Sequence, residues 1–311
     1  MQYITLGRTG LRASALGLGG GGHSRLGLRT AATEAESVAI VRRAIELGVN
    51  LIDTAEAYGT EQLVGAALRG QRGEDIVLST KKSVLVEGRP IGAADLVAGL
   101  EASLRRLGAD HIDIYHLHAV RAEHYDRMVE ELVPAMLRLR EQGKIRFLGI
   151  TEAFGGDTAH QMLSRAVRDP HWDVIMVGFN ILNQSARARV LAEARRREIG
   201  VLCMFAVRDA LGSFEKVRPT VADLVRAGLV DADGLDLEDP LGFVRPSAAS
   251  LPDAAYRFCR AEPGIDVVLS GTGNIRHLEQ NVESILRPPL PDSIRERLAD
   301  MFARVDSVSG Q

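Results

Sequence analysis

The sequence predicts an α/β fold, a (β/α)8 TIM barrel with an N-terminal β-hairpin and a C-terminal helix. Short apolar runs of strand length alternate with amphipathic stretches of helix length along nearly the whole chain. Asp53, Lys81 and His118 each close one of those runs, and Tyr58 follows the first of them by five residues. Polar residues at the C-terminal ends of successive parallel strands gather on one face of such a barrel. The length, 311 residues, exceeds the usual single domain but suits an α/β barrel, and 46% hydrophobic with 25% charged residues is ordinary for a globular chain. One domain over 1–311 is therefore expected.

The chain opens with a hairpin, in which Tyr3-Ile4-Thr5-Leu6 and the run from Leu11 to Leu16 flank the turn Gly7-Arg8-Thr9-Gly10. Thr33 and Glu36 have the spacing of a capping box, and Val38, Val41 and Ile45 give the next helix one apolar stripe, ending at Gly48. Strand 51–53 precedes a helix near 60–69. Strand 76–80 leads to a helix carrying Leu96, Leu100, Leu104 and Leu107, closed by Gly108 in the left-handed position that favours glycine. Strand 112–117 leads to a helical region ending at Gly143. Pro134 is expected to start or kink that helix, because its ring removes an N–H and crowds the preceding turn. Strand 147–150, helix 157–168, strand 173–177, helix 186–197 and strand 200–205 follow.

The segment from about 208 to 250 breaks this rhythm. It holds Gly212, Gly228, Gly234 and Pro240, with five acidic residues between Asp231 and Asp239. It reads as a long βα insertion with a short helix at 218–227. Helix 252–261, strand 265–269 and helix 275–286 resume the alternation, and an amphipathic helix at 291–305 should pack across the barrel exterior or bottom. Seven strands are visible in this reading, and the eighth is placed around 14–18, since closure needs eight βα units with right-handed crossovers.

A net charge of −3 and the lack of any basic block argue against a nucleic-acid partner. The N-terminal stretch has no long apolar run of signal-peptide type, and no run of 18 apolar residues suggests a membrane span. Cys203 and Cys259 follow no metal spacing and read as reduced, buried thiols, so a cytoplasmic location is expected. Oligomeric state is left open.

Gly17-Leu18-Gly19-Gly20-Gly21-Gly22 matches G-x-G-x-x-G. A dinucleotide fingerprint must run directly into a helix, with an acidic residue about 20 positions on. Here the helix starts some ten residues later and no such acid closes a second strand. The stretch reads instead as a loop at the barrel mouth, with Gly20 and Gly21 as a floor that a flat ring could approach closely.

With these residues in view, nearly the whole chain resembles the aldo-keto reductase superfamily. Leu51-Ile52-Asp53-Thr54-Ala55-Glu56-Ala57-Tyr58-Gly59, followed by Glu61 and Gly65, is similar to that family's first active-site signature. Ser79-Thr80-Lys81 resembles its lysine strand, and Asp113-Ile114-Tyr115-His116-Leu117-His118 its histidine strand. Gly143 to Ile150 is similar to its next strand, and Gly271, Thr272, Gly273, Arg276, His277, Gln280 and Asn281 fall in the region that resembles its adenosine-phosphate clamp. The resemblance implies an NAD(P)(H)-dependent oxidoreductase for a small carbonyl or alcohol substrate, an aldehyde, ketone or sugar. It implies Tyr58 as general acid/base, Lys81 as the cation that lowers its pKa, Asp53 as the partner of Lys81, and His118 as the residue that orients the substrate oxygen. Lys82 is set aside because successive strand residues face opposite ways.

The same resemblance shows departures. Where the family usually carries Ser-Asn against the nicotinamide amide, this chain has Thr151-Glu152, and where it carries glutamine the match is Met176. A carboxylate accepts hydrogen bonds but does not donate them. Its charge would also favour the oxidised, cationic nicotinamide, which suggests aldose oxidation as an alternative direction. The stacking aromatic matches Met204, with Phe205 beside it, and Arg208 follows as a candidate phosphate ligand. The family's bulky first-loop residue is Gly21, which suggests a roomier pocket. Arg276 and His277 are the cationic candidates of the clamp, and arginine suits a 2′-phosphate, so NADP is expected, with NAD as the alternative.

Two other classes compete. His116 and His118 form H-x-H in a strand, as zinc hydrolases use, but the other six histidines close no strand, and no metal site is expected. A nucleotide-binding subunit without turnover is the other alternative, kept open by the altered amide contacts.

Overall fold

In the computed structural model, which describes residues 1–70, 73 and 75–311, eight parallel strands close into a barrel. They are β1 (Leu16–Gly19), β2 (Leu51–Asp53), β3 (Val77–Ser83), β4 (Ile112–Val120), β5 (Ile145–Glu152), β6 (Val174–Gly178), β7 (Gly200–Met204) and β8 (Val267–Ser270). Each pairs with its successor in sequence, and β8 pairs with β1. The inconspicuous eighth strand is β1. Its glycines hid it: a Cβ on Gly17 would lie 2.7 Å from Leu269 and 2.9 Å from Leu51, inside the barrel.

Period-two alternation gives each strand an inner and an outer face. Leu51, Val77, Ile114, Val174, Met176, Leu202 and Val267 fill the lower interior, where they meet Leu6, Leu11 and Ala13. These last three belong to the N-terminal hairpin, Tyr3–Thr5 paired antiparallel with Arg12–Ser14. The hairpin therefore plugs the N-terminal end of the barrel.

The outer layer holds α1 (Glu34–Glu46), α2 (Glu61–Leu68), α3 (Ala93–Leu107), α4 (Tyr125–Glu141) and α5 (Gln161–Ala166). It continues with α6 (Ala192–Arg196, entered through the wider turns of Arg187–Leu191), α7 (Phe214–Arg226), α8 (Leu251–Arg260), α9 (Ile275–Leu286) and α10 (Asp292–Met301). The Thr33–Glu36 capping box forms as expected. Helix α5 is shorter than expected because Asp157 takes the amides of Gln161 and Met162 at 2.8 and 2.9 Å, which fixes a later start. In the insertion, α7 starts before 218 because Ser213 caps it, its hydroxyl accepting from Lys216 N.

Pro134 corrects the sequence reading. It lies inside α4, neither at its start nor at a break. Met128, Leu132, Val133, Ala135, Met136 and Leu139 bury one face of that helix on both sides of the proline. Burial of that size, about 1.5–3 kcal/mol per large apolar side chain, is comparable to the roughly 3 kcal/mol that an interior proline costs.

Helix α10 packs on the barrel exterior, where the carbonyl of its buried Leu298 accepts from Gln184 Nε2 at 2.9 Å. The chain then returns to the β6 loop, where Asn183 and Asn180 donate to the carbonyls of Val308 and Ser309.

If the hairpin is a plug, Leu6→Ala should destabilise the fold by about 2–5 kcal/mol through the cavity it leaves, with ligand affinity unchanged. Urea unfolding alongside a binding titration checks this. A loss of affinity at full stability would contradict it.

Candidate active site

The C-terminal ends of β2, β3 and β4 bring Asp53, Lys81 and His118 together. Register does this: Asp53 stands beside Ser79, Lys81 beside His116, and Ser83 beside His118. Lys81 is fully buried, and its Nζ donates to Asp53 Oδ2 at 2.6 Å and to the Thr54 carbonyl at 2.7 Å. Ser79 Oγ donates to the other Asp53 oxygen at 2.7 Å. Burial works against the lysine charge. The Asp53 carboxylate and the Tyr58 oxygen outweigh it, and the Lys81 pKa ends above its ordinary value. Lys82 faces outward as expected. Its Nζ lies 2.9 Å from Glu56 Oε1, and its stem needs Gly99, whose Cβ would come within 2.6 Å of it.

Tyr58 sits above this pair. Lys81 Nζ is 5.0 Å from its ring centroid, and its hydroxyl is 3.3 Å from His118 Nε2. The rings of Tyr58 and His118 meet edge-on at 86°. Burial, helped by the Lys81 charge, pushes the His118 imidazole down to about 3, so it is neutral near pH 7. His116 points into the barrel. A Cβ on Gly149 would lie 2.2 Å from its ring, so only glycine there admits it. Its Nε2 meets Ser79 Oγ at 3.1 Å, and burial followed by the Lys81 charge holds its pKa well below 6.5.

Gly21 makes room for the ring of Tyr58. A Cβ at that position would lie 2.6 Å from the Tyr58 ring.

A cleft of about 1470 Å³ opens over these residues. Its walls include Gly21, Asp53, Tyr58, His118, Thr151, Glu152, Met176, Met204, Phe205, Gly271, Thr272, Gly273 and His277. Four other residues singled out in the sequence stand off its walls. Gly20 is packed into the loop, its amide donating to the Asp53 carbonyl at 2.6 Å. Asn281 donates to Ser270 Oγ at 2.9 Å, and Arg276 and Gln280 are exposed on α9. Asn274 caps α9 with its own side chain, accepting from Arg276 N and His277 N.

The wall near β5 holds a residue that the sequence reading passed over. His160 is fully buried, and its Nδ1 lies 3.0 Å from both oxygens of Glu152. The Gly178 amide donates to Glu152 Oε1 at 2.7 Å. Burial raises the Glu152 carboxyl, His160 and Gly178 pull it down, and the net shift is upward. Phe154 stacks on His160 at 5.2 Å and meets Phe205 edge-on. Phe205 itself adopts φ 65°, and the Arg208 guanidinium covers its ring at 3.9 Å. His160 closes no strand, so neither periodicity nor strand-end position pointed to it.

His116 and His118 do not assemble a metal centre: among the described residues no group of three or more His, Cys, Asp or Glu could hold an ion. Cys203 and Cys259 are free and buried, as expected. Among the described residues no helix is long and apolar enough to cross a membrane.

A family model described as "Aldo/keto reductase family" matches residues 15–301. The chain belongs to the aldo/keto reductase family. As an aldo/keto reductase it is a nicotinamide-dependent oxidoreductase acting on small carbonyl or alcohol substrates. It is 28% identical to L-galactose dehydrogenase of Arabidopsis thaliana over 99% of this chain and 95% of that protein. Among solved structures it is similar to the holo form of aldo-keto reductase AKR11C1 from Bacillus halodurans, at TM-score 0.73 and 24% identity, covering 97% and 96% of the two chains. A putative aldo-keto reductase from Pseudomonas aeruginosa gives TM-score 0.64 and 28% identity over 91% and 93%.

The residues present fit the family's cofactor. The cleft exceeds the roughly 300–1,000 Å³ of an ordinary ligand pocket. A Cβ on Gly271 would lie 3.1 Å from the Gly19 carbonyl, and one on Gly273 2.8 Å from Gly27, so glycines keep this part of the wall backbone-lined. Arg208 adds a positive charge to the wall.

Two outcomes follow from this geometry. Gly21→Ala should displace the Tyr58 ring and lower turnover at least tenfold with little change in thermal stability. A variant that keeps full turnover would show that the ring has slack. Acid should also unfold the protein through its histidines. His116 and His118 have folded pKa values below 6.5, so between those values and 6.5 the unfolded chain binds more protons. Stability should therefore fall as pH drops below 6.5, and His116→Gln should flatten that slope in urea titrations from pH 7 to 4. An unchanged slope would assign the loss to other groups.

Proposed function

We propose that this enzyme interconverts a carbonyl compound and its alcohol with Tyr58 as the proton-transferring residue. The observation that supports this best is the fully buried Lys81, paired with Asp53 and 5.0 Å from the Tyr58 ring. An ordinary phenol has a pKa near ~10, too high for easy proton transfer at neutral pH. A cation within about 4–6 Å favours the anionic form of such a group, and Lys81 is the cation beside Tyr58. Asp53 keeps Lys81 charged and aimed. In reduction the Tyr58 hydroxyl gives its proton to the substrate oxygen, and in oxidation the phenolate takes it back. The neutral His118 hydrogen-bonds the same oxygen and fixes its approach. The nicotinamide, when bound, supplies or accepts the hydride.

On this reading Thr151, Glu152 and Met176 face the nicotinamide end, Met204 and Phe205 its ring, and Gly271, Thr272 and Gly273 the backbone-lined part of the dinucleotide. Arg276 and His277 are the cationic side chains at the start of α9, and arginine suits a 2′-phosphate, which favours NADP over NAD. A second reading, oxidation of an aldose, is supported by the likeness to L-galactose dehydrogenase.

Tyr58→Phe should lower kcat roughly 10²–10⁴-fold, the usual share of a general acid, while NADPH still binds and quenches protein fluorescence. Aldehydes with NADPH and aldoses with NADP⁺ should both be assayed, since their ratio separates the two readings. Full turnover by Tyr58→Phe would assign the proton to another group. Arg276→Ala should weaken NADPH more than NADH, and an equal change in both affinities would remove that arginine from coenzyme selection.

A further inference from the structure

The Glu152–His160 pair is unusual in three respects. Both residues are buried, Glu152 in the cleft wall and His160 behind it, where an ion is costly. His160 holds φ 58° and ψ 34°, a left-handed conformation uncommon for a residue with a side chain. Its Nε2 is buried with no hydrogen-bond partner in the structure, while Nδ1 is committed to Glu152. An arrangement needed only to fill space would be met by apolar residues at lower cost.

We propose that Glu152 and His160 act as one protonatable unit whose net charge sets the preference of this site for oxidised over reduced nicotinamide. Glu152 is the group on the cleft wall, and His160 is a positioning residue behind it. The inference rests on the nicotinamide reading above. With one proton on the imidazole or the carboxyl beyond the single ring N–H, the pair is neutral. Without it, the pair carries one negative charge. Oxidised nicotinamide is cationic and reduced nicotinamide is neutral, so only the oxidised form responds to that charge. Binding of the oxidised form therefore expels the extra proton to the buffer, and the linkage is reciprocal.

Few other charges reach the pair. Asp157 precedes α5 and is held by the amides of Gln161 and Met162. The Gly178 amide donates from β6, and Phe154 covers the imidazole. Arg189 donates to the Ala159 carbonyl, but its charge is paired with Asp306 at 2.7 Å. Arg208 stands beyond two aromatic rings, on Phe205. Unequal titration of the pair is thus referred to Glu152 and His160 themselves.

The test is the affinity of full-length protein for NADP⁺ and NADPH between pH 5.5 and 9, measured by titration calorimetry in two buffers of different ionisation heat. In the native protein the NADP⁺/NADPH affinity ratio should rise with pH, with proton release on NADP⁺ binding only. Glu152→Gln should flatten the ratio, shift it toward NADPH by about tenfold or more at high pH, as one unit charge nearby at an effective dielectric near 20 would, and release no proton. His160→Asn keeps a donor toward Glu152 and tolerates the left-handed backbone, yet takes no proton. It should flatten the pH dependence of the ratio, so it tests the unit even where Glu152→Gln does not fold. Native-like ratio, profile and proton count in either folded variant would overturn the proposal and leave the function reading intact. Failure of the native protein to bind either form would instead overturn the nicotinamide reading.

Discussion

The interaction on which the site depends is the ion pair of Lys81 with Asp53. Both partners lie inside the barrel wall, where taking two charges out of water costs more than a good contact reliably returns. Such a pair is a poor device for stability. It is a good device for placing a permanent positive charge under a phenol, because solvent does not screen it there. The surroundings answer to that need. Ser79 occupies the second oxygen of Asp53, the Thr54 carbonyl takes another lysine proton, and glycine at 149 lets a neutral imidazole stand next to the charge. Burial, with help from the same charge, keeps His116 and His118 unprotonated.

Much of this was legible in the sequence, for physical reasons. Strands that bury both faces read as apolar runs, and a polar residue ending such a run has few places to be except the barrel mouth. That logic found Asp53, Lys81 and His118 and separated Lys81 from Lys82. The alternation of patterns also found seven strands. The eighth was faint because its inward positions, Gly17 and Gly19, have no side chains to make a pattern. Pro134 misled because local propensity is a weak rule against a well-buried helix face.

Tertiary pairing is what the sequence concealed. Glu152 read as a free carboxylate facing a ligand. In three dimensions it already has His160 and the Gly178 amide. His160 comes from a loop with no periodicity, so nothing in its spacing tied it to Glu152. Gly21 carried a second constraint the sequence did not show: the ring of Tyr58 packs where its Cβ would be. Arg276, Gln280 and Asn281 were placed by motif alone.

The hairpin that plugs the lower end of the barrel has a kinetic consequence. With Leu6, Leu11 and Ala13 packed against the lowest layer of inward residues, the interior has no back door. Everything that reacts at Tyr58 must arrive and depart through one mouth. Exchange at Tyr58 thus belongs to the open cleft, and the filled floor of the barrel lies far from any group that touches the chemistry.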